Sequence, residues 1–295
     1  MKNLLFLLCL GLGLQLCAQQ SKTIKKNLAF SNASADNTLI VENINGSIEV
    51  EAYNGSNIQV ELDLEIDAKS ERLIEKGFQE IQLGVLEKED IIVLYMDNPC
   101  SEDRSLATRE QLLKGHSFNW SKNCQWDAKY YFNLDYKIKV PRKLNVRLST
   151  VNQGEIKLSG VQGTIQVNNV NGGIHLQDIA GKTKAHTVNG NVVISYQKNP
   201  TLDCDYYTLN GNIELLYQKG FSADAYFESM HGEFSSNIDE LELLPQRLEP
   251  TKTKSEKGIK YKIGGAKNLR IRSGGPLMRF ETLNGDVIVK ERKGS

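Results

Sequence analysis

From Gly154 onward glycine recurs at Gly163, Gly172, Gly181 and Gly190, one every nine residues. The second position after each is Ile156, Ile165, Ile174, Thr183 and Val192, and the fourth is Leu158, Val167, Leu176, Ala185 and Ile194. Polar residues such as Lys157, Gln166, His175 and Lys184 separate the two rows. Alternation at period two is the pattern of a half-buried strand, and the nine-residue interval keeps each strand short. The seventh position is Val161, Val170, Ile179 and Val188. The step from four to seven is odd, so a straight strand would turn that residue outward. A bend in every unit would bring all three positions into one interior, as in a coil. A meander of Asn-Gly hairpins is the competing arrangement.

The finer period is eighteen. Asn152, Asn171-Gly172, Asn189-Gly190, Asn210-Gly211 and Asn284-Gly285 share one corner chemistry, and Gly163 and Gly181 occupy the alternate corner. Gly154 starts the series, Asn45-Gly46 is an early copy and Met230-His231-Gly232 a degenerate one. The expectation is an all-β fold, a right-handed β-helix-like solenoid of short strands with Asn-Gly corners and one short helix near residues 69–78. Positive φ is expected at the glycine corners, and stacked coils would align the Asn side chains in an amide ladder. Ile174, Leu176, Val188, Val192 and Ile194 should be buried, and Lys157, His175, Lys184 and His186 exposed.

The N-terminus reads as an export signal. Lys2 precedes an apolar stretch at residues 4–16, and Cys17-Ala18-Gln19 offers cleavage after Ala18. Lipid attachment at Cys17 is disfavoured by the bulky Leu16 before it. Residues 1–18 are assigned to the signal, 19–38 to a flexible segment and 39–295 to a single elongated domain with loop excursions at 97–127 and 240–258. No later apolar run is long enough to span a bilayer. The expected location is the periplasm, the cell surface or the medium. Three cysteines follow the signal. Cys100 and Cys124 lie in polar sequence and Cys204 in an alternating strand, so the first two are paired and the third is buried.

Chemistry is sparse. Lys+Arg and Asp+Glu each number 36, which gives no basic patch for nucleic acid. There is no phosphate-binding Gly-Lys-Ser/Thr motif and no Cys/His cluster, so no catalytic, cofactor-binding or metal residues are assigned. A metal site from His175 and His186 would lack a third ligand. Among Tyr196, Tyr206, Tyr207, Tyr217 and Tyr226, alternation turns Tyr206 inward and Tyr207 outward. Tyr196, Tyr207 and Tyr217 are candidate sugar-stacking residues, with packing as the competing role. An enzyme acting on polysaccharide would need a cleft between the two excursions, where Glu102, Asp103, Arg104, Glu110 and Asp127 concentrate charge.

The series Asn169-Val170-Asn171-Gly172-Gly173-Ile174, Thr187-Val188-Asn189-Gly190-Asn191-Val192 and Thr208-Leu209-Asn210-Gly211-Asn212-Ile213 resembles the bacterial putative-adhesin family of exported β-helix domains, over about residues 39–292. The resemblance implies an envelope or surface protein and brings no catalytic residues. The functional expectation is a non-enzymatic protein that binds a glycan or an envelope protein through an extended face. A structural or regulatory component binding a partner protein is the alternative.

Overall fold

The computed structural model describes residues 18–114, 124–245, 251–255, 258–262 and 267–293. The signal segment through Cys17 lies outside them. The chain is all-β, with two large mixed sheets of ten and eleven strands, and contains two helices among the described residues.

The N-terminal part comprises β1 (Ala18–Leu28), β2 (Thr38–Glu42), β3 (Ile48–Tyr53), β4 (Ile58–Ala68), helix α1 (Glu71–Glu80), β5 (Gln82–Glu87), β6 (Ile91–Asp97), helix α2 (Arg109–Lys114) and β7 (Tyr131–Pro141). The repeat region follows as β8 (Asn145–Thr150), β9 (Ile156–Ser159), β10 (Ile165–Asn169), β11 (Ile174–Ile179), β12 (Thr183–Asn189), β13 (Val192–Tyr196), β14 (Cys204–Asn210) and β15 (Ile213–Tyr217). The remainder is β16 (Ala223–Ser229), β17 (Phe234–Ser236), β18 (Leu241–Leu244), β19 (Thr251–Ser255), β20 (Gly258–Lys262), β21 (Lys267–Ile271), β22 (Leu277–Asn284) and β23 (Val287–Glu291).

Through the repeat the chain passes alternately between the sheets. The first takes β9, β11, β13 and β15 side by side, and the second takes β8, β10, β12 and β14. All these neighbours are parallel. Ile174 pairs with Val192 and Ile165 with Thr183, an offset of eighteen residues in each sheet. Parallel pairing excludes the antiparallel hairpin arrangement for these strands. The stacking departs from chain order at both ends. β22 and β23 sit directly on β14 and β15, and β2 and β3 sit on β8 and β9. Antiparallel pairing is confined to the margins: β4 with β7 and with β1 on the first sheet, whose other edge β17 is parallel to β23, and β5 with β6 and β21 with β16 and β18 on the second.

The core lies between the sheets as one continuous cluster from Leu39 through Ile174, Leu176, Val192 and Ile194 to Val289. Lys157 is exposed, while His175, Lys184 and His186 are partly exposed on the outer faces. Val188 corrects the expectation, because it is half-exposed and Thr187 is the buried residue. The bend occurs at only one of the two corners. In the first sheet Asp178 takes φ +49° and Gly160 φ +72°, and pairing shifts register between Leu176 and Ile179. In the second sheet alternation continues unbroken into the Asn corner, and a threonine closes it. Thr150, Thr187 and Thr208 donate their hydroxyls to the carbonyls of Gly46, Gly172 and Gly190 at 2.9, 2.9 and 2.8 Å. Each bond satisfies a carbonyl that the corner would otherwise leave buried and unpaired.

The corner glycines are also needed for a different reason than positive φ. A Cβ on Gly172 would strike the carbonyl oxygen of Gly154, and one on Gly190 that of Gly172, although neither glycine has positive φ. Room for the backbone of the neighbouring corner is what excludes a side chain there.

Two further boundaries differ from the sequence reading. Residues 19–28 fall in the segment expected to be flexible yet belong to β1, which pairs with β4 along its whole length. Only Leu28 is buried and Ile24 partly so, so the backbone ladder holds the strand with little hydrophobic signal. The helix expected near residues 69–78 runs instead over Glu71–Glu80, through Gly77, whose missing side chain lets it approach Ile66 and Tyr130.

Candidate functional site

The outer face of the second sheet carries the most chemically varied surface. Alternation on β12, β14, β22 and β16 buries Ala185, Tyr206, Phe280 and Phe227 and turns their neighbours outward. Register then aligns those neighbours in two rows. Lys184, Asp205, Arg279 and Tyr226 form one, and His186, Tyr207, Glu281 and Glu228 the other.

The rows are cross-linked. His186 Nε2 lies 3.2 Å and Lys184 Nζ 3.8 Å from Asp205 Oδ2. The His186 and Tyr207 rings are 5.7 Å apart. The Arg279 guanidinium lies over the Tyr226 ring at 4.7 Å and reaches Glu281 at 3.2 Å. Tyr226 donates to Glu228 Oε2 at 2.5 Å. Burial works to raise the Asp205 carboxyl, but the close contact with His186 and the positive charges of Lys184 and Arg279 hold it below its ordinary range. Burial first, then the bond to Glu228, pushes the Tyr226 phenol up to about 12. This surface offers two aromatic rings, two strands or roughly 10 Å apart, among closely mixed donors and acceptors.

Of the three candidate tyrosines, only Tyr207 is on this face. Tyr196 and Tyr217 are fully buried and cannot meet an external ligand, since they continue the inward rows of Ile194 and Leu215. Their rings stack at 5.0 Å, and the Tyr196 and Tyr206 hydroxyls are 2.6 Å apart. Tyr226 replaces them at the surface, and its signal was the flanking inward row of Ala223, Ala225 and Phe227. The corner asparagines are exposed and form a ladder. Asn152, Asn171, Asn189, Asn210 and Asn284 each donate an amide hydrogen to the preceding member, beginning at Asn45. His231 Nδ1 meets the last oxygen at 3.1 Å. His175 and His186 lie in different sheets and cannot share a metal. Among the described residues no three His, Cys, Asp or Glu side chains are grouped for metal binding.

The excursion after β6 is fastened at two points. Cys100 and Cys124 form a disulfide with Cα atoms 5.5 Å apart, and Cys204 is free and buried. Arg104 donates to Glu42 at 2.5 Å with both side chains 6% exposed, and its guanidinium lies 4.2 Å from the Tyr95 ring centre. Glu102, Asp103, Glu110 and Asp127 are exposed. The cleft required by the enzyme alternative is not formed among the described residues. The excursion after β6 and β18 lie at opposite ends of the eleven-stranded sheet, roughly 40 Å apart at about 4.8 Å per strand.

The outer face of the first sheet is more aliphatic. Val193, Leu216 and Ile288 line a groove of about 430 Å³, bordered by His175, Glu214 and Lys290.

No family model matches the chain, and no curated protein matches it. Solved structures with a distant likeness include a putative cell adhesion protein from Clostridium sporogenes, 12% identical, covering 92% of this chain and 100% of its own, with a TM-score of 0.40. A putative adhesin from Bacteroides fragilis is 11% identical over 92% of this chain and 97% of its own, with a TM-score of 0.33. A putative lipid binding protein from Parabacteroides distasonis is 11% identical over 93% and 97%, with a TM-score of 0.29. Likeness at this distance carries no function to the present chain.

Proposed function

We propose that the protein is a non-enzymatic, exported cell-envelope or surface protein, a two-sheeted β-solenoid that binds glycan on the outer face of its second sheet. The observation that carries this reading is the pair of outward rings, Tyr207 and Tyr226, set among Asp205, Arg279, Glu281 and Glu228 on a wall backed by packed core. Aromatic faces stack on sugar rings, and adjacent carboxylates and guanidinium groups exchange hydrogen bonds with hydroxyls. The disulfide supports an oxidising compartment. Glycan-array binding by the mature chain tests the reading. Tyr207→Ala and Tyr226→Ala should each weaken capture about five- to tenfold, the equivalent of about 1 kcal/mol. Capture unaffected by both substitutions would defeat it.

Docking of a partner protein is the second reading, favoured by the aliphatic groove of Val193, Leu216 and Ile288 on the opposite face. Protein capture from envelope extracts that is lost in Leu216→Asp and retained in Tyr207→Ala would select it.

A further inference from the structure

The two long edges of the strand stack differ in charge. In the first sheet β7, β3, β9, β11, β13, β15 and β23 lie side by side and parallel, so their C-terminal ends share one edge. Just beyond those ends stand Lys143 after β7, Lys182 after β11, Lys198 after β13, Lys219 after β15 and Lys293 after β23. All five are exposed, and among the described residues none has a carboxylate within 4.0 Å. Lysines on the sheet faces differ, since Lys137, Lys139, Lys157 and Lys184 each have an acidic partner. The last four edge lysines follow four consecutive strands, about 4.8 Å apart, and the row from β7 to β23 runs roughly 30 Å. The opposite edge carries the neutral Asn ladder. Balanced composition conceals the row, because the charges are segregated by position in the fold.

Amide groups between these lysines already tie successive corners together. Gln162 donates Nε2 to Gln197 Oε1 at 3.3 Å, and Asn199 exchanges bonds with the Gln218 backbone at 3.0 and 2.8 Å. Three acids at this edge are engaged with other groups: Glu291 with Arg272 at 2.7 Å, Asp178 with Arg292 at 2.9 Å, and Asp203 with the Leu277 amide at 2.8 Å. The lysines face solvent, where a row of like charges repels itself and attracts an external polyanion. Two concavities lie among them. One of about 620 Å³ is bordered by Lys143, Lys182, Asn145, Gln162 and the exposed Leu202, the other of about 440 Å³ by Lys198, Gln162, Gln197 and Asn199. Among the described residues, no carboxylate and no aromatic ring lines either one.

We propose that this edge binds a linear anionic polysaccharide, laid along the stack with its carboxylate or sulfate groups against the lysines. The site is separate from the Tyr207 and Tyr226 face and does not depend on it. Charge selects an anion, and the regular row selects a chain over a single residue, because a pyranose unit advances a polysaccharide by about one strand spacing. The amides of Asn145, Gln162, Gln197 and Asn199 both donate and accept, which suits the hydroxyls between successive charges. Single-stranded nucleic acid is held largely by stacking on aromatic rings, and the concavities offer none. A lipid surface is held by several apolar side chains beside the basic ones, and among the described residues Leu202 is the one large apolar side chain exposed on this edge.

The test is titration calorimetry and biolayer interferometry of the mature, oxidised protein with polygalacturonate and heparin, with dextran as the neutral control. At least one of the two anionic polymers should bind and dextran should not, and raising salt from about 0.05 to about 0.5 M should weaken binding through screening. The triple variant Lys143→Glu, Lys182→Glu, Lys198→Glu should bind about tenfold or more weakly at an unchanged melting temperature, and Lys182→Gln alone about twofold more weakly. A second triple, Lys69→Glu, Lys114→Glu, Lys129→Glu, makes the same change in net charge away from this edge and should bind as the parent does. The arginine triple at 143, 182 and 198 keeps the charge and should also bind as the parent does. The proposal is overturned if neither anionic polymer binds, or if the two glutamate triples lose affinity equally. Binding to phosphatidylglycerol vesicles or to single-stranded DNA, with neither polymer bound, would overturn it too. So would polymer binding that is lost in Tyr226→Ala and kept in the edge triple, which would place the chain on the open face.

Discussion

Thr187 shows how much a single hydroxyl decides. It occupies an inward position that an aliphatic residue would fill by pattern, and it donates to the Gly172 carbonyl of the neighbouring Asn-Gly corner. Thr187→Val keeps the shape and leaves that carbonyl unpaired, so urea denaturation should show a loss of about 1–3 kcal/mol. Val188→Thr, one residue on and half-exposed, should fall within about 0.5 kcal/mol of the parent. Asp205 carries a prediction about pH. Its carboxyl is held below the ordinary range in the folded chain, so its contribution is present above the unfolded value near 4 and is lost as pH falls through the folded value. Stability measured from pH 5 downward should therefore fall less steeply in Asp205→Asn than in the parent.

At the scale of the strand, stacking in register turns a local pattern into a continuous interior. Ile174 on β11 contacts its equivalents Ile156 and Val192 through the flanking strands and is fully buried. Ile174→Asp would place an unpaired charge in the core between the sheets and should cost about 4 kcal/mol or more. Lys184→Asp, on the outer face of β12, should cost less than about 1 kcal/mol. Equal losses would contradict the assignment of faces. For the excursion, peptide mapping without reductant should recover Cys100 linked to Cys124 and Cys204 unlinked. Burial pushes the Cys204 thiol up, and it should resist alkylation until the chain unfolds.

At the scale of the molecule, the first sheet ends on one side in the antiparallel strands β4 and β1 and on the other in β17, parallel to β23. β1 forms the outer edge and carries Lys22, Lys25 and Lys26, which oppose further strand addition. Deleting residues 18–28 removes almost nothing from the core but bares β4. The truncated chain should keep its far-ultraviolet spectrum and self-associate on size exclusion, whereas a truncated chain that stays monomeric would show that β1 does not protect the edge.

Strand length, corner chemistry and the inward rows were legible because a nine-residue glycine interval with period-two alternation is a local constraint, set by residues adjacent in the chain. So was the outward direction of Tyr207, from Cys204 and Tyr206 beside it. The two sheets, the order of their strands and the sites were not, because these depend on which distant segments become neighbours. β22 and β23 return after some sixty residues to lie on β14 and β15, and only that return places Arg279 and Glu281 between Tyr207 and Tyr226. Glu42 and Arg104 meet across 62 positions of sequence with no pattern linking them. Strand β1 had no hydrophobic signal because its partner supplies backbone hydrogen bonds, which are nearly independent of side-chain identity. Alternation sets the direction of a side chain within its strand, while long-range register, fixed by burial of both inner faces together, decides what stands beside it.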